Sequence, residues 1–220
     1  MLKKIILVIV VLLAAMLINQ VFSQPYKKEV EQFQLQDQQQ APPANPILFI
    51  GSSSFTIWKD MQSYFPSYSI LNRAFGGSTL LNQLYYVNEV TLAYNPKQIV
   101  IYCGENDFAT DDAVTPDSVY NRFVKLFTII RNKWPKMPVA YVSMKPSPSR
   151  KKYLPMFKVA NAKIEAYLAS KKRTAYINVW DKMLNDDGSF KPTIYLSDSL
   201  HMNKNGYAIW APIIEKDLIK

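Results

Sequence analysis

The sequence predicts an α/β fold, a three-layer α/β/α sandwich around a five-stranded, mostly parallel sheet. Short apolar runs alternate with stretches of helical spacing, and the links between them are short. Such alternation favours parallel strands joined by right-handed crossovers. The expected strands are Ile47–Ile50, Ser69–Leu71, Gln98–Tyr102, Val139–Ser143 and Ala175–Val179.

The helices are predicted from apolar residues that recur every three or four positions. The clearest one continues to Trp134 and is opened by Thr115 at the capping position and Pro116 at the first helical position, where each residue type is favoured. Three more are predicted, over 153–168, around 80–87 and over 209–218; in the last of these, Pro212 should cause a kink or mark the start.

The composition is that of one folded domain, and it limits disulfide formation and metal binding by cysteine. The chain has 220 residues, about half of them apolar, which suffices for one buried core but not comfortably for two. Its single cysteine, Cys103, lies in an apolar run. An intrachain disulfide and a multi-cysteine metal site are therefore excluded, and a buried thiol is expected. The formal net charge of +9 fits a solvated lysine-rich surface or attraction to an anionic partner.

The N-terminus has the pattern of an export signal. Lys3 and Lys4 precede fourteen apolar residues, Ile5–Ile18, and the residues at Val21 and Ser23 predict cleavage after Ser23. An uncleaved N-terminal anchor, associating the protein with a membrane, is the alternative, although this apolar run is shorter than the ~20 residues that span a bilayer unaided. In both cases the rest of the chain is expected outside the cytoplasm, in the periplasm or the extracellular space.

Residues 24–45 are polar, rich in glutamine and contain two adjacent prolines, Pro42 and Pro43. Such a segment buries little apolar surface, so it is expected to be a flexible linker. The predicted organisation is therefore a signal peptide or anchor at 1–23, a linker at 24–45 and one domain at 46–220.

Residues suited to catalysis follow three of the predicted strands. They are Gly51–Ser54 after the first strand, Asn72–Ser78 after the second and Gly104–Asp107 after the third. Because ligands bind outside the carboxyl ends of parallel strands, these segments are expected at one edge of the sheet. Each also has a purely structural interpretation, as a serine helix cap, a glycine turn and an Asn-Asp loop cap.

Taken together with Asp198 and His201 near the C-terminus, these segments contain the parts needed for acyl transfer. A serine nucleophile needs a base, and His201 is the only histidine in the chain. Asp198, three residues earlier, could hold the imidazole. The backbone N–H groups of Ser53 and Gly77 and the side-chain amide of Asn106 could stabilise the oxyanion.

The four segments, in this order, resemble the SGNH hydrolase superfamily, also called GDSL-type esterases and lipases. The resemblance covers residues 46–215 and implies a flavodoxin-like fold, a Ser53-His201-Asp198 triad, an oxyanion hole of Ser53, Gly77 and Asn106, and no metal or organic cofactor. In the family the first segment usually reads Gly-Asp-Ser, and here Ser52 replaces the aspartate.

The three consecutive serines leave the position of the nucleophile to be decided. When the glycine of the family's Gly-Asp-Ser segment is placed on Gly51, its serine falls on Ser53 and not on Ser52 or Ser54. The other common serine-hydrolase turn, Gly-x-Ser-x-Gly, is excluded because Phe55 occupies its last position.

The expected activity is hydrolysis of short-chain acyl esters, such as acetyl esters, on a small ester or an acylated glycan. A lysophospholipase or other lipid acyl hydrolase, a thioesterase, and a non-catalytic binding module are the alternatives. Tyr85, Tyr86 and Tyr195 could stack on sugars. Nucleic acid is not an expected partner, because the basic residues lack interleaved aromatics, and an anionic surface is the alternative for them. These residues are Lys145, Arg150, Lys151, Lys152, Lys171, Lys172 and Arg173.

Overall fold

The computed structural model describes residues 25–220, so the predicted signal segment and its cleavage point lie outside the described residues. Its sheet has five strands, all parallel, in the order β2-β1-β3-β4-β5, which is the flavodoxin-like order. The predicted fold class is therefore confirmed. The strands are β1 (Ile47–Gly51), β2 (Ile70–Asn72), β3 (Gln98–Tyr102), β4 (Val139–Val142) and β5 (Thr174–Ile177).

Helices cover both faces of the sheet, and strand β1 shows how its side chains alternate between them. Leu48 and Ile50 pack into a core with the helices at Pro116–Lys133 and Leu154–Ala169, whereas Ile47 and Phe49 pack into a second core with the helix at Lys204–Glu215. The α-helices are α1 (Lys27–Gln39), α2 (Ser53–Thr56), α3 (Met61–Tyr64), α4 (Leu80–Tyr85), α5 (Glu105–Thr110), α6 (Pro116–Lys133), α7 (Leu154–Ala169) and α8 (Lys204–Glu215). Short 3-10 or π turns occur at Asn88–Leu92, Pro148–Tyr153, Asp181–Met183 and Pro192–Ile194.

The start of α6 is as predicted, and the start of α8 is not. Thr115 caps α6 by accepting a hydrogen bond from the Ser118 N–H at 3.2 Å, with Pro116 at the first helical position. Helix α8 begins at Lys204, capped by Asn203, so Pro212 lies within the helix and does not mark its start. The first turn was missed because it is polar and contains Gly206, a poor helix former.

The polar composition of residues 24–45 predicts a flexible linker, and this prediction is wrong for α1. The helix lies on the domain, with Val30 buried among Phe75, Tyr86 and Val90. Its glutamine, glutamate and lysine residues are good helix formers. One buried apolar contact and a few polar anchors therefore suffice to hold a segment whose composition resembles a solvated linker.

An ion pair fixes the C-terminal half of α1. The Asp37 carboxylate accepts hydrogen bonds from the Arg73 guanidinium and, at 2.7 Å, from the Tyr94 hydroxyl. The Arg73 side chain is only 9% exposed. It also lies over the rings of Phe33 and Tyr94, about 5 Å from each centroid. Asp37 is thus the counter-ion of a nearly buried cation in the loop that follows β2.

Replacing Asp37 by alanine is expected to lower the free energy of unfolding by about 2–4 kcal/mol, because it leaves the Arg73 charge buried and unpaired. Urea denaturation measures the change. Glu31→Ala is the matched control, since Glu31 pairs with Lys27 on the same helix but both side chains are more than half exposed. That control should change stability by less than about 0.5 kcal/mol. Equal effects of the two substitutions would mean that α1 is not anchored through Asp37.

Within residues 25–220, no helix combines the length and the apolar character needed to cross a bilayer.

Candidate active site

The turn from β1 into α2 presents the predicted nucleophile. Gly51 has φ 131°, and a Cβ there would lie 1.9 Å from the Tyr102 carbonyl oxygen on β3, so no other residue fits this corner. Of the three serines that follow, Ser52 and Ser54 are buried, at 5% and 2% exposure, while Ser53 is partly exposed. Ser53 therefore has the hydroxyl that a substrate could reach.

Ser52, which stands where an aspartate is usual, contacts another predicted site residue. Its Oγ accepts a hydrogen bond from Asn106 Nδ2 at 2.8 Å. The same nitrogen donates to the Ser78 carbonyl oxygen at 3.3 Å. The Ser52 hydroxyl thus supplies an acceptor at this position and links the serine turn to the start of α5.

The three predicted oxyanion donors differ in availability. Within residues 25–220, the backbone N–H groups of Ser53 and Gly77 have no protein acceptor, so both are free to bind a developing negative charge. Gly77 is exposed and has φ 78°, and Tyr26, just before α1, donates from its hydroxyl to the Gly77 carbonyl at 2.9 Å. Asn106 would have to exchange one of its present acceptors for the oxyanion.

Buried polar side chains tie the loops of the site to one another. The Gly51 carbonyl oxygen accepts from Ser78 Oγ and from Gln83 Nε2, both at 3.1 Å. Asp107, fully buried, accepts from the Leu80 N–H at 2.9 Å and from Arg122 at 2.7 Å. Burial raises the pKa of Asp107, although both of those hydrogen bonds lower it. The loops carrying Ser53, Gly77 and Asn106 are therefore held as one unit.

A buried ion pair supports α5 beside Asn106. Lys145 is 1% exposed and its Nζ lies 3.1 Å from Glu105 Oε2, and the Tyr102 hydroxyl also donates to Glu105. Lys145 therefore does not belong to a surface basic cluster, which corrects that prediction. Sequence reasoning missed Gln83, Glu105 and Arg122 as supporting residues. In the sequence, the only signal for such a residue is a polar side chain inside an apolar stretch. This signal does not indicate which residue the side chain contacts.

Asp198 and His201 form a close pair. The distance between His201 Nδ1 and Asp198 Oδ2 is 2.6 Å, and Asp198 Oδ1 accepts from the N–H groups of Leu200 and His201, each at 2.9 Å. Desolvation raises the pKa of Asp198, but the hydrogen bonds from the His201 ring and the two N–H groups outweigh it and lower the pKa to about 2. Within the described residues, no hydrogen bond joins His201 Nε2 to Ser53 Oγ. Such contacts often form only in the substrate complex.

The lowered pKa of Asp198 predicts how the pair contributes to stability. A carboxylate with a depressed folded-state pKa stabilises the protein above its unfolded value near 4, and this contribution is lost as pH falls towards 2. Asparagine is neutral at every pH and therefore resembles the protonated form of Asp198. The melting temperature of Asp198→Asn should therefore lie below that of the wild type at pH 6 and approach it at pH 2.5, as thermal unfolding would measure. A pH-independent difference would contradict the assigned cause.

Two of the three tyrosines expected to stack on sugars are not on the surface. Tyr86 and Tyr195 are 5% and 7% exposed, and their hydroxyls donate to the carbonyl oxygens of Pro25 and Pro146. Tyr85 is 59% exposed and remains available. Cys103 is buried, as predicted, and burial raises the pKa of its thiol.

Comparison with known families identifies one family whose profile matches most of the chain. Residues 52–209 match the sequence profile of the GDSL-like Lipase/Acylhydrolase family. The chain belongs to this family. Membership assigns this GDSL-like protein to the hydrolases of carboxylic esters, as the four segments predict. The match begins at Ser52 and includes Ser53, Gly77, Asn106, Asp198 and His201.

Solved structures share the fold of this GDSL-like hydrolase. A Streptococcus pneumonia protein, whose assigned name refers to platelet activating factor, aligns over 93% of this chain and 97% of its own, with a TM-score of 0.75 and 20% identity. A GDSL-like lipase from Bacteroides thetaiotaomicron aligns over 85% and 95%, with a TM-score of 0.72 and 22% identity. A carbohydrate esterase family 3 structure from Talaromyces cellulolyticus aligns over 79% and 95%, with a TM-score of 0.61 and 12% identity. No curated protein sequence matches the chain.

Proposed function

We propose that the protein is an exported hydrolase that removes short acyl groups, acetyl groups in the first place, from acylated carbohydrates or small esters. The observation that carries the proposed mechanism is the 2.6 Å contact between His201 Nδ1 and Asp198 Oδ2. This contact fixes the imidazole and leaves Nε2 to act as the base for a serine. Ser53 supplies the accessible hydroxyl.

In this mechanism Ser53 Oγ attacks the ester carbonyl and its proton passes to His201 Nε2. Asp198, whose pKa is about 2, stays ionised and stabilises the imidazolium. The Ser53 and Gly77 N–H groups and the Asn106 amide bind the oxyanion, each contributing about 3 kcal/mol. The intermediate then expels the alcohol, which takes the proton from Nε2. Water, activated by the same imidazole, hydrolyses the acyl-serine and releases the acid.

A cavity beside the oxyanion loop favours a second candidate, the hydrolysis of longer acyl chains such as those of lysophospholipids. The cavity has a volume of about 460 Å³ and lies between α1 and the loop after β2. Phe33, Trp58 and Phe75 contribute to its wall, and Gly76, next to the proposed oxyanion donor, borders it. Its size is within the range of small-molecule sites.

A panel of 4-nitrophenyl esters from acetate to palmitate distinguishes the two candidates. The proposed function predicts that kcat/KM is highest for acetate and falls as the chain lengthens beyond butanoate. A maximum at octanoate or longer would favour the lipid acyl hydrolase. The rate of the Ser53→Ala variant, purified in the same way, is subtracted from each wild-type rate. This removes the hydrolysis that a contaminating esterase contributes. Absence of serine-dependent hydrolysis across the panel would contradict both candidates.

A further inference from the structure

Arg150 lies beside the proposed oxyanion donor and beside the loop that carries the catalytic pair. It belongs to the short helical turn Pro148–Tyr153. One of its guanidinium nitrogens, Nη2, donates to Asn106 Oδ1 at 3.3 Å. The preceding residue, Ser149, donates its N–H to the Ser199 carbonyl oxygen at 3.1 Å, within the Asp198–His201 segment. The guanidinium is therefore at the edge of the active site.

Arg150 lacks a counter-ion, unlike Lys145 and Lys152. Lys145 pairs with Glu105, and Lys152 lies 3.4 Å from Asp112. Within residues 25–220, no carboxylate lies within 4 Å of the Arg150 side chain. Its Nε is buried and has no hydrogen-bond partner in the same part of the chain.

A half-buried guanidinium without a counter-ion is costly until an anion pairs with it. Its planar donors match the two oxygens of a carboxylate or phosphate, which it binds in a fork-like arrangement. Among residues 25–220, the only acceptor that hydrogen-bonds to the Arg150 side chain is the neutral oxygen of Asn106. The buried Nε is out of reach of a substrate, but Nη1 is not buried and has no hydrogen-bond partner within residues 25–220. An anionic group that enters with the substrate would bind there and supply the missing counter-ion close to the scissile bond.

We infer that Arg150 binds an anionic oxygen group, a carboxylate or a phosphate, on the substrate of this hydrolase. The inference rests on the proposed function, which it narrows to esters that carry a negative charge near the acyl bond. Arg150 is then a specificity-determining residue, and its contact with Asn106 places the anion next to the oxyanion hole. Neutral esters would be hydrolysed without this contribution.

Two pairs of matched esters test the inference and locate the charge. For the alcohol part the pair is 4-acetoxybenzoate and its methyl ester; for the acyl part it is mono-4-nitrophenyl succinate and 4-nitrophenyl butyrate. The measured quantity is the ratio of kcat/KM for the anionic ester to that for its neutral partner. This ratio cancels any general loss of activity that follows from disturbing Asn106.

The wild type is expected to prefer the anionic ester in at least one pair, and Arg150→Gln should lower that ratio about tenfold, as the loss of one charged hydrogen bond implies. Lys151→Gln is the matched control, because Lys151 is an exposed neighbour and its loss removes the same charge. The control should keep the wild-type ratio. Arg150→Lys, which keeps the charge but loses the fork, should give an intermediate ratio and can be measured if the glutamine variant does not fold.

Ratios that Lys151→Gln lowers as much as Arg150→Gln does, in both pairs, would overturn the inference. An unchanged ratio in Arg150→Gln, with both rates lowered equally, would also overturn it and would leave Arg150 as a residue that only orients Asn106. If no ester of either pair is hydrolysed by the wild type, the proposed function fails instead.

Discussion

Ser53→Ala is expected to lower kcat for 4-nitrophenyl acetate by about 10⁴-fold or more, because no other accessible group at this corner can form the acyl intermediate. Ser53 is the one serine of the turn that is partly exposed, and it lies two residues after Gly51, which fixes the corner. The substitution removes an oxygen that makes no side-chain hydrogen bond within residues 25–220, so the melting temperature should stay within a few degrees of the wild type. Stopped assays over hours measure the residual rate.

Ser52→Ala is the control for this prediction, since it changes the adjacent serine and tests the replaced aspartate position at the same time. It removes one acceptor of Asn106 Nδ2 and leaves the Ser78 carbonyl oxygen. The loss of one neutral hydrogen bond predicts a decrease in kcat of about tenfold or less. If Ser52→Ala is the inactive variant and Ser53→Ala remains active, the nucleophile is Ser52 and the register with Gly51 is misleading.

Asp198→Asn is expected to lower kcat/KM by about 10³-fold to 10⁴-fold. An asparagine cannot hold the imidazole with a charged acceptor, and it favours the wrong tautomer of the ring. The carboxylate has three hydrogen bonds in the structure, one from the His201 ring and two from backbone N–H groups. Steady-state kinetics at pH 7 to 8 measure the loss.

Asp187→Asn provides a control with similar local geometry. Asp187 Oδ1 accepts the Ser189 N–H at 2.9 Å, in a turn comparable to that of Asp198 and Leu200, but no histidine contacts it. It should change kcat/KM by less than about twofold, since exposed substitutions away from a site have small effects. Equal activity of Asp198→Asn and the wild type would exclude Asp198 as the partner of the catalytic base.

Much of the sheet could be predicted from the sequence because its strands are short and mostly apolar, and the three central ones, β1, β3 and β4, are buried on both faces. Each expected strand overlaps an observed one, with differences of a few residues at the ends. The site segments were predictable for a related reason, since Gly51 and Gly104 must be glycine and the polar residues follow strand ends. Their spacing along the chain therefore reflects geometry that the fold requires.

The parts that could not be predicted depend on partners distant in the sequence. Arg73 and Asp37 are 36 residues apart, and nothing in the polar segment around Asp37 indicates that a cation is buried nearby. Arg150 and Asn106 are 44 residues apart, and from composition Arg150 resembles Lys151 and Lys152. Tyr195 was expected on the surface because its hydroxyl partner, the Pro146 carbonyl oxygen, lies 49 positions away.

The contact between Tyr26 and the carbonyl oxygen of Gly77 limits how far the domain can lie from a membrane that holds the N-terminal apolar run. Only eight positions separate Tyr26 from Ile18, the last residue of the apolar N-terminal run. A fully extended chain of that length spans roughly 28 Å. If the apolar run stays in a membrane, the Tyr26 backbone cannot be farther than this from the bilayer, and the Gly77 loop lies one tyrosine side chain beyond it. If the chain is cut after Ser23, that tether is lost and the enzyme meets its substrates by diffusion.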